Sequence, residues 1–511
     1  MKDKYQRSRE KLSSNPNWKW FILCTVLLGA TMSALDVSIV NVAMPTLKNS
    51  FKVSMAVIEW VAIAYTLALT VFLPLFGKLA DMYGRSRLYN TGFLVFSAGS
   101  LLCGLSTSAG YMIVSRIIQA IGAGLLQANS VALITQAFQP CERGRAIGIQ
   151  GAVQAVSMSV GPFVGGLLIA TVGWRAIFLI NIPIGILGTA AALFILPPDQ
   201  LMKEKQKIDY VGAGLFASGL ALLMLAFNEV VRLGWASHII IFYSLSGIAL
   251  LSLFVITELK VENPLINLKL FSHPTFLLGN LTGMMSYAVL FAVLFLMPFY
   301  FEKVLGFSTA LTGSLLTPIP LAMTVVAPLS GYISDKRGPR IVTTLGMLMS
   351  ALACFSLVFV GQSVRIPLLV VELIFLGVGM GLFTPPNNSA VMGSAPKDKL
   401  GVAGGILNMM RSLGLIFGVN ISGLIFTSME HRDLADKGYP GVERVFSDSR
   451  IPLLIRDNAF MHGFIVVMGA LIVLNLVSAF FAATNKNWVV LVQKQATLEK
   501  KRCEWAAQKG R

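Results

Sequence analysis

The apolar positions of this chain come in blocks of about 20 residues, the length that crosses the hydrocarbon core of a bilayer as a helix. Short clusters of charged and turn residues separate them. The pattern predicts an all-α integral membrane protein with 14 transmembrane helices. The blocks lie at 18–42, 56–76, 88–107, 111–137, 147–171, 175–196 and 210–228, then at 238–258, 275–301, 309–333, 341–361, 366–392, 402–428 and 460–483. Between the last two, residues 429–459 are polar and of mixed charge, as on a solvated surface loop.

One interruption is unusual. The stretch FGKLADMYGRSRLY places Gly77, Asp81 and Gly84 at the spacing G-x3-D-x2-G, followed by Arg85 and Arg87. The same spacing returns in GYISDKRGPR, with Gly331, Asp335, Gly338 and Arg340. The first copy joins spans 2 and 3, and the second joins spans 10 and 11. That offset describes a six-helix unit used twice, with spans 7 and 8 inserted between the copies; repeats of this kind build many transporters. The expected organisation is a tail at 1–17, a six-helix bundle at 18–196, an inserted pair with its loops at 197–274, a second bundle at 275–484, and a tail at 485–511. Glycine permits the tight turn and the close helix approach. An Asp there suits a helix N-terminus, and the arginines suit carboxylates or anionic headgroups. Such a knot reads as a latch between bundles, against the plainer reading of an ordinary basic loop.

Composition agrees with the membrane reading. Of 511 residues, 55% are hydrophobic and 13% charged, against about 25% charged in a soluble domain. The net charge of +17 gathers in alternate loops and in both tails, which places both termini in the cytoplasm by the positive-inside rule. No basic stripe lies on a soluble module, so nucleic acid is not an expected partner. The first block follows a basic leader but is too long for a cleaved signal, and it reads as an uncleaved first span. The 5 cysteines show no metal spacing and no disulfide framework. The 4 histidines are scattered, with no H-E-x-x-H and no phosphate-binding G-x4-G-K-[ST]. No metal, no cofactor and no enzymatic activity are expected.

Charges inside the membrane are costly and usually functional. Asp36 lies about 9 Å from the outer end of span 1, and Arg116 about 8 Å into span 4 from the same side. They are expected to pair, either as a proton-sensing contact or as a static one. Glu372 is about 9 Å into span 12 and is a second proton-site or cation-site candidate. Glu59 beside Trp60 offers a carboxylate and an aromatic face to a cationic, lipophilic substrate, or forms an interfacial anchor. Arg411, near the middle of span 13, is read as pairing with a carboxylate, binding an anionic substrate group or setting packing. Asn387 and Asn388, after Pro385 and Pro386, suggest a locally broken helix facing a cavity.

Several stretches together resemble the major facilitator superfamily, and within it the fourteen-helix drug:proton antiporter branch. The knot residues Gly77, Leu79, Asp81, Gly84, Arg85 and Arg87 resemble that family's loop motif, with Ser86 displacing one basic residue. SALDVSIVNVAMPTL (33–47), RIIQAIGAGLL (116–126), GPFVGG (161–166), WRAIFLINIPIG (174–185) and the run from PPNNSAVMGS to GILNMMRSLG (385–414) resemble further motifs of the branch. The resemblance implies a major facilitator fold in the cell membrane and proton-coupled export of lipophilic, cationic drugs. It implies that Gly161, Pro162, Gly165 and Gly166 form an antiporter motif that seals one face of the pore. The expected partners are a small-molecule substrate, protons and the lipid bilayer, with the protein a monomer. A uniporter or proton symporter importing a metabolite is the alternative.

Overall fold

The computed structural model describes residues 17–53, 55–199, 209–234, 237–261, 264, 266, 268–307, 309–361, 365–396, 399–439 and 452–485. The two predicted tails, apart from Asn17 and Asn485, lie outside the described residues. Every predicted block coincides with helix. In chain order these are α1 (Trp18–Phe51), α2 (Met55–Tyr83), α3 (Arg85–Gly104), α4 (Ala109–Ala137), α5 (Pro140–Thr171), α6 (Ala176–Leu179), α7 (Asn181–Ile195), α8 (Tyr210–Leu233) and α9 (His238–Lys260). They continue as α10 (Pro274–Phe299), α11 (Thr309–Leu316), α12 (Pro318–Arg337), α13 (Pro339–Val358), α14 (Ile366–Ser394), α15 (Leu400–Asp436) and α16 (Leu453–Thr484). Among the described residues there is no strand, and 11 helices are long and apolar enough to cross a membrane.

Helices α1–α7 form one bundle and α10–α16 a second. Within the first, α1 packs on α5, and α4 on α2 and α3; within the second, α10 packs on α15, and α14 on α12 and α13. The bundles meet along two seams, α2 with α15 and α5 with α12. Each knot turns on a glycine with positive φ, Gly84 at 103° and Gly338 at 85°. A side chain is strained there, so the chain reverses between α2 and α3, and between α12 and α13, at the residue that tolerates it.

Helices α8 and α9 pack on each other, with Phe216 against Phe254 at 5.2 Å. They lie beside the α2–α15 seam, where Phe227 meets Phe417 at 6.1 Å. Lys78 of the first knot is buried and donates to the Pro264 carbonyl at 2.8 Å, which ties α2 to the segment after α9.

Two sequence expectations are corrected. Helix α14 runs unbroken through Pro385 and Pro386. Proline at 385 removes the donor that the Gly381 carbonyl would receive, and the Ser330 hydroxyl supplies a bond to that carbonyl at 2.7 Å. Replacing Ser330 with Ala is expected to cost about 1 kcal/mol, read as a lower unfolding midpoint in detergent with the fold retained. An unchanged midpoint would mean that the bond contributes nothing. The polar segment 429–459 is also partly helical. Helix α15 continues to Asp436 and α16 begins at Leu453, with Leu434 and Ala459 buried in a small core flanked by Tyr439 and Ile455. Asp433 accepts from His462 at 2.9 Å and pairs with Lys437 at 3.7 Å. Residues 440–451 lie outside the described residues.

Candidate functional site

Five helices converge on Asp36. Its Oδ2 accepts from Arg116 Nη1 at 2.5 Å, and its Oδ1 from Gln119 Nε2 at 2.7 Å and Asn181 Nδ2 at 3.3 Å. Arg116 also donates to Gln119 Oε1 at 2.5 Å and through Nε to the Val61 carbonyl at 3.3 Å. Its guanidinium lies over the Tyr65 ring at 4.0 Å. Gln119 Nε2 reaches Ser100 Oγ at 2.7 Å. Asp36, Gln119, Ser100 and Asn181 are fully buried and Arg116 is 1% exposed. The predicted pairing of Asp36 with Arg116 is present, inside a larger network. Gln119 and Asn181 carry no charge and stood in the sequence only as motif residues; no spacing linked either of them to Asp36, since Asn181 arrives from a helix 145 positions away.

The two knots make matching contacts across the seams. Asp81 accepts the backbone N–H groups of Gly401 and Val402, each at 2.9 Å, at the start of α15. Asp335 accepts those of Gly144 and Arg145 at 3.2 and 3.3 Å, near the start of α5. Such carboxylates satisfy N-terminal donors and complement the helix dipole. The glycines explain the distance of approach. A Cβ at Gly77 would overlap the Gly401 carbonyl, and one at Gly331 would overlap the Gly144 carbonyl. One turn further, a Cβ at Gly405 would lie 2.6 Å from the Leu73 carbonyl, and one at Gly148 2.6 Å from the Ala327 carbonyl. This end of the molecule is shut, backbone against backbone.

The knots differ in their arginines. Arg85 grips Asp81 Oδ1 through Nε at 3.0 Å and Nη2 at 2.7 Å. In the second copy Pro339 stands where Arg85 stands in the first, because Arg340 comes one residue later after the turn. Of the two partners expected for Arg340, a carboxylate or an anionic headgroup, no carboxylate pairs with it among the described residues; the hydrogen bonds to Asp335 come from backbone donors, with the charge of Arg143 nearby. Arg87 reaches Asp199 at 3.9 Å and is exposed; Asp199 itself caps α3 through the N–H groups of Ser86 and Arg87.

The remaining candidates are dispersed. Gly161 lies against Ser38, two residues from Asp36, where a Cβ would overlap the Ser38 hydroxyl. A Cβ at Gly165 would lie 3.3 Å from Ile39, while Gly166 faces open space. The side chains of Pro162 and Glu59 lie outside the described residues, and Trp60 is half-buried on α2. Asn387 donates to the Gly279 carbonyl of α10 at 2.9 Å, inside the second bundle, and Asn388 is buried beside it. Glu372 is 6% exposed in the apolar core of that bundle, and its Oε2 has no hydrogen-bond partner among the described residues. Arg411 donates to Asn408 Oδ1 at 3.1 Å and lies over the Tyr287 ring at 5.4 Å.

Two pseudo-equivalent bundles, a buried ion-pair network in one and closure at one end describe a transporter, and the comparisons agree. Residues 26–419 match the family model described as Major Facilitator Superfamily. The riboflavin transporter RibZ of Clostridioides difficile is 36% identical over 78% of this chain and 86% of its own length. The multidrug resistance protein Stp of Mycobacterium tuberculosis is 31% identical over 82% and 78%. The tetracenomycin C resistance and export protein of Streptomyces glaucescens is 28% identical over 80% and 76%. Among solved structures, the human organic anion transporter MFSD10 superposes with a TM-score of 0.63 at 17% identity, covering 92% of this chain and 100% of that one. The proton:xylose symporter XylE superposes with a TM-score of 0.61 at 15% identity, covering 91% and 95%. At those identities the structures speak for the fold alone. The chain belongs to the major facilitator superfamily of membrane transporters, and its relatives there include drug-efflux proteins.

Proposed function

We propose that this transporter couples a proton gradient to the export of lipophilic drugs or toxic compounds by alternating access. The observation that carries this reading is the sealed network of Asp36, Arg116 and Gln119. A proton on Asp36 cancels the charge that holds Arg116. An uncompensated guanidinium at such depth costs about 2.5–3.5 kcal/mol on insertion scales, so the network rearranges as the proton arrives. The change passes to α5, which lies against α1 at Gly161 and Ser38, and from α5 to its seam with α12. Glu372 is the second candidate for carrying a proton.

In this reading the chain crosses the cell membrane fourteen times, α6 with α7 forming one crossing and α11 with α12 another. The Lys/Arg bias then places both termini and both knots in the cytoplasm. The shut end is cytoplasmic, and the two carboxylate latches hold the outward-facing state. The protein works as a monomer, since the network and both latches are built within one chain. One proton crossing 100 mV supplies about 2.3 kcal/mol, and a tenfold solute gradient requires about 1.4 kcal/mol.

The kinship with a riboflavin transporter favours a second reading, movement of a small metabolite by symport or uniport. One assay separates the two. Inside-out vesicles with an acidic lumen should accumulate a lipophilic fluorescent dye, and nigericin should stop it. Dye movement that ignores the gradient overturns proton coupling. Solute that loads only right-side-out vesicles favours import.

A further inference from the structure

We infer that the transport route carries an anion-binding subsite centred on Arg411, and that its preferred ligand is a flat aromatic compound bearing a carboxylate or similar negative group. The inference deepens the transport reading above and rests on it.

Arg411 sits just past the closed seam. Along α15, Gly401 meets the first knot, Gly404 approaches the Ala128 carbonyl of α4, Gly405 approaches Leu73, and Asn408 donates to the Gln127 carbonyl of α4 at 2.9 Å. Arg411 is the next step on that face, about 15 Å from Gly401 at the helical rise and so near the middle of the bilayer. It is half-buried, whereas Arg116 is sealed. Its side chain bridges Asn408 and the Tyr287 ring, at the boundary between the bundles.

No carboxylate pairs with it among the described residues. Asp36 is committed to Arg116. Glu372 lies roughly 22 Å along α14 from Asn387, which bonds to α10 about 12 Å short of Tyr287, so roughly 10 Å along the bundle axis still separates Glu372 from the Tyr287 level. The repeat supplies no balance either, because the step on α5 that corresponds to Arg411, counted from Gly144 and Gly148 as matches of Gly401 and Gly405, is the uncharged Gln154. Among the described residues, Arg411 is thus a cation past the latch held by an amide and an aromatic face, without a carboxylate partner.

Guanidinium presents five donors in a planar fork that matches a carboxylate bidentately, and one of them is used on Asn408. Tyr287 and Phe291 stack at 6.2 Å with 30° between their planes, beside the fork. An anion on Arg411 supplies the missing countercharge, and a flat ring attached to it covers the aromatic pair. The cationic preference expected from the sequence rested on the family resemblance, on Glu372 and on Glu59, whose side chain lies outside the described residues.

The test uses two dyes with one xanthene skeleton and opposite charge, anionic fluorescein and cationic rhodamine 6G. Fluorescence anisotropy with purified full-length protein should show tighter binding of fluorescein. Arg411→Gln should weaken fluorescein binding by roughly thirtyfold and change rhodamine binding little, with Arg411→Lys intermediate because it keeps charge and loses the fork. A wild-type preference for rhodamine 6G, no binding of fluorescein, or equal loss of both dyes in Arg411→Gln overturns the inference. The wild-type comparison needs no variant, so a misfolded substitution does not shield the claim. Gradient-driven efflux of another solute would survive such a result, so the transport reading and this one fail separately.

Discussion

Asp36→Asn is expected to reduce gradient-driven transport by roughly tenfold or more, in the range of ordinary coupling energies. The amide keeps the size of the carboxylate and still accepts from Gln119 Nε2 or Asn181 Nδ2. It does not bind a transportable proton, and it leaves Arg116 without its countercharge. Removing one member of a buried pair costs about 3–5 kcal/mol, so the single variant is at risk of misfolding. The double variant Asp36→Asn with Arg116→Gln removes both charges together and is expected to accumulate in the membrane at near wild-type level. In it, dye should equilibrate with the same rate whether or not a pH gradient is imposed. Gradient-dependent accumulation by the double variant would show that the proton is bound elsewhere, with Glu372 the next carboxylate to test.

Gly77→Val and Gly331→Val should each hold the knot end apart. In the shut state a side chain at either position meets backbone of the opposite bundle, Gly401 or Gly144. Backbone cannot rotate away as a flexible side chain does. Loss of the close approach also withdraws Asp81 from Gly401 and Val402, or Asp335 from Gly144 and Arg145. Transport should fall by roughly tenfold or more, again on the scale of a conformational coupling. A second readout is independent of transport. In a background without native cysteines, a cysteine at the buried Val402 should be protected from a membrane-impermeant maleimide. Protection should vanish in Gly77→Val. Retained protection and retained transport in both valine variants would sink the latch. The first latch, braced by the side-chain bonds of Arg85, should tolerate Asp→Asn less well than the second, whose carboxylate accepts backbone hydrogen bonds and has only the longer-range charge of Arg143.

The helices and the repeat were legible because each follows from local chemistry. Apolar blocks of membrane-spanning length leave the backbone no option except internal hydrogen bonding, so helix had to appear wherever a block did. Ranges went wrong where polar sequence hid a helix: the end of α15 carries mixed charge, yet Leu434 gives it an apolar contact with α16. The break predicted at Pro385 failed because a serine on another helix supplies the bond that the proline cannot. Nothing within α14 announces that serine.

The site divides in the same way. A buried Asp and a buried Arg at similar depth predicted their own meeting, since an unpaired charge in oil is too costly to persist. Gln119, Ser100 and Asn181 were silent because uncharged polar residues carry no such penalty when each can satisfy itself locally. What the sequence by itself determined was a helical membrane protein with two related halves, two glycine-aspartate knots and a small set of intramembrane charges. Only the tertiary structure decided which helix start each knot aspartate caps, that Arg340 does not brace Asp335 as Arg85 braces Asp81, and that Arg411 rests on Asn408 and the Tyr287 ring with no carboxylate paired to it among the described residues. The reason is physical. Hydrophobic length and the price of a buried charge are properties of a residue and its neighbours in sequence. Pairing across a seam depends on how two bundles dock, which is set by backbone contacts between residues hundreds of positions apart.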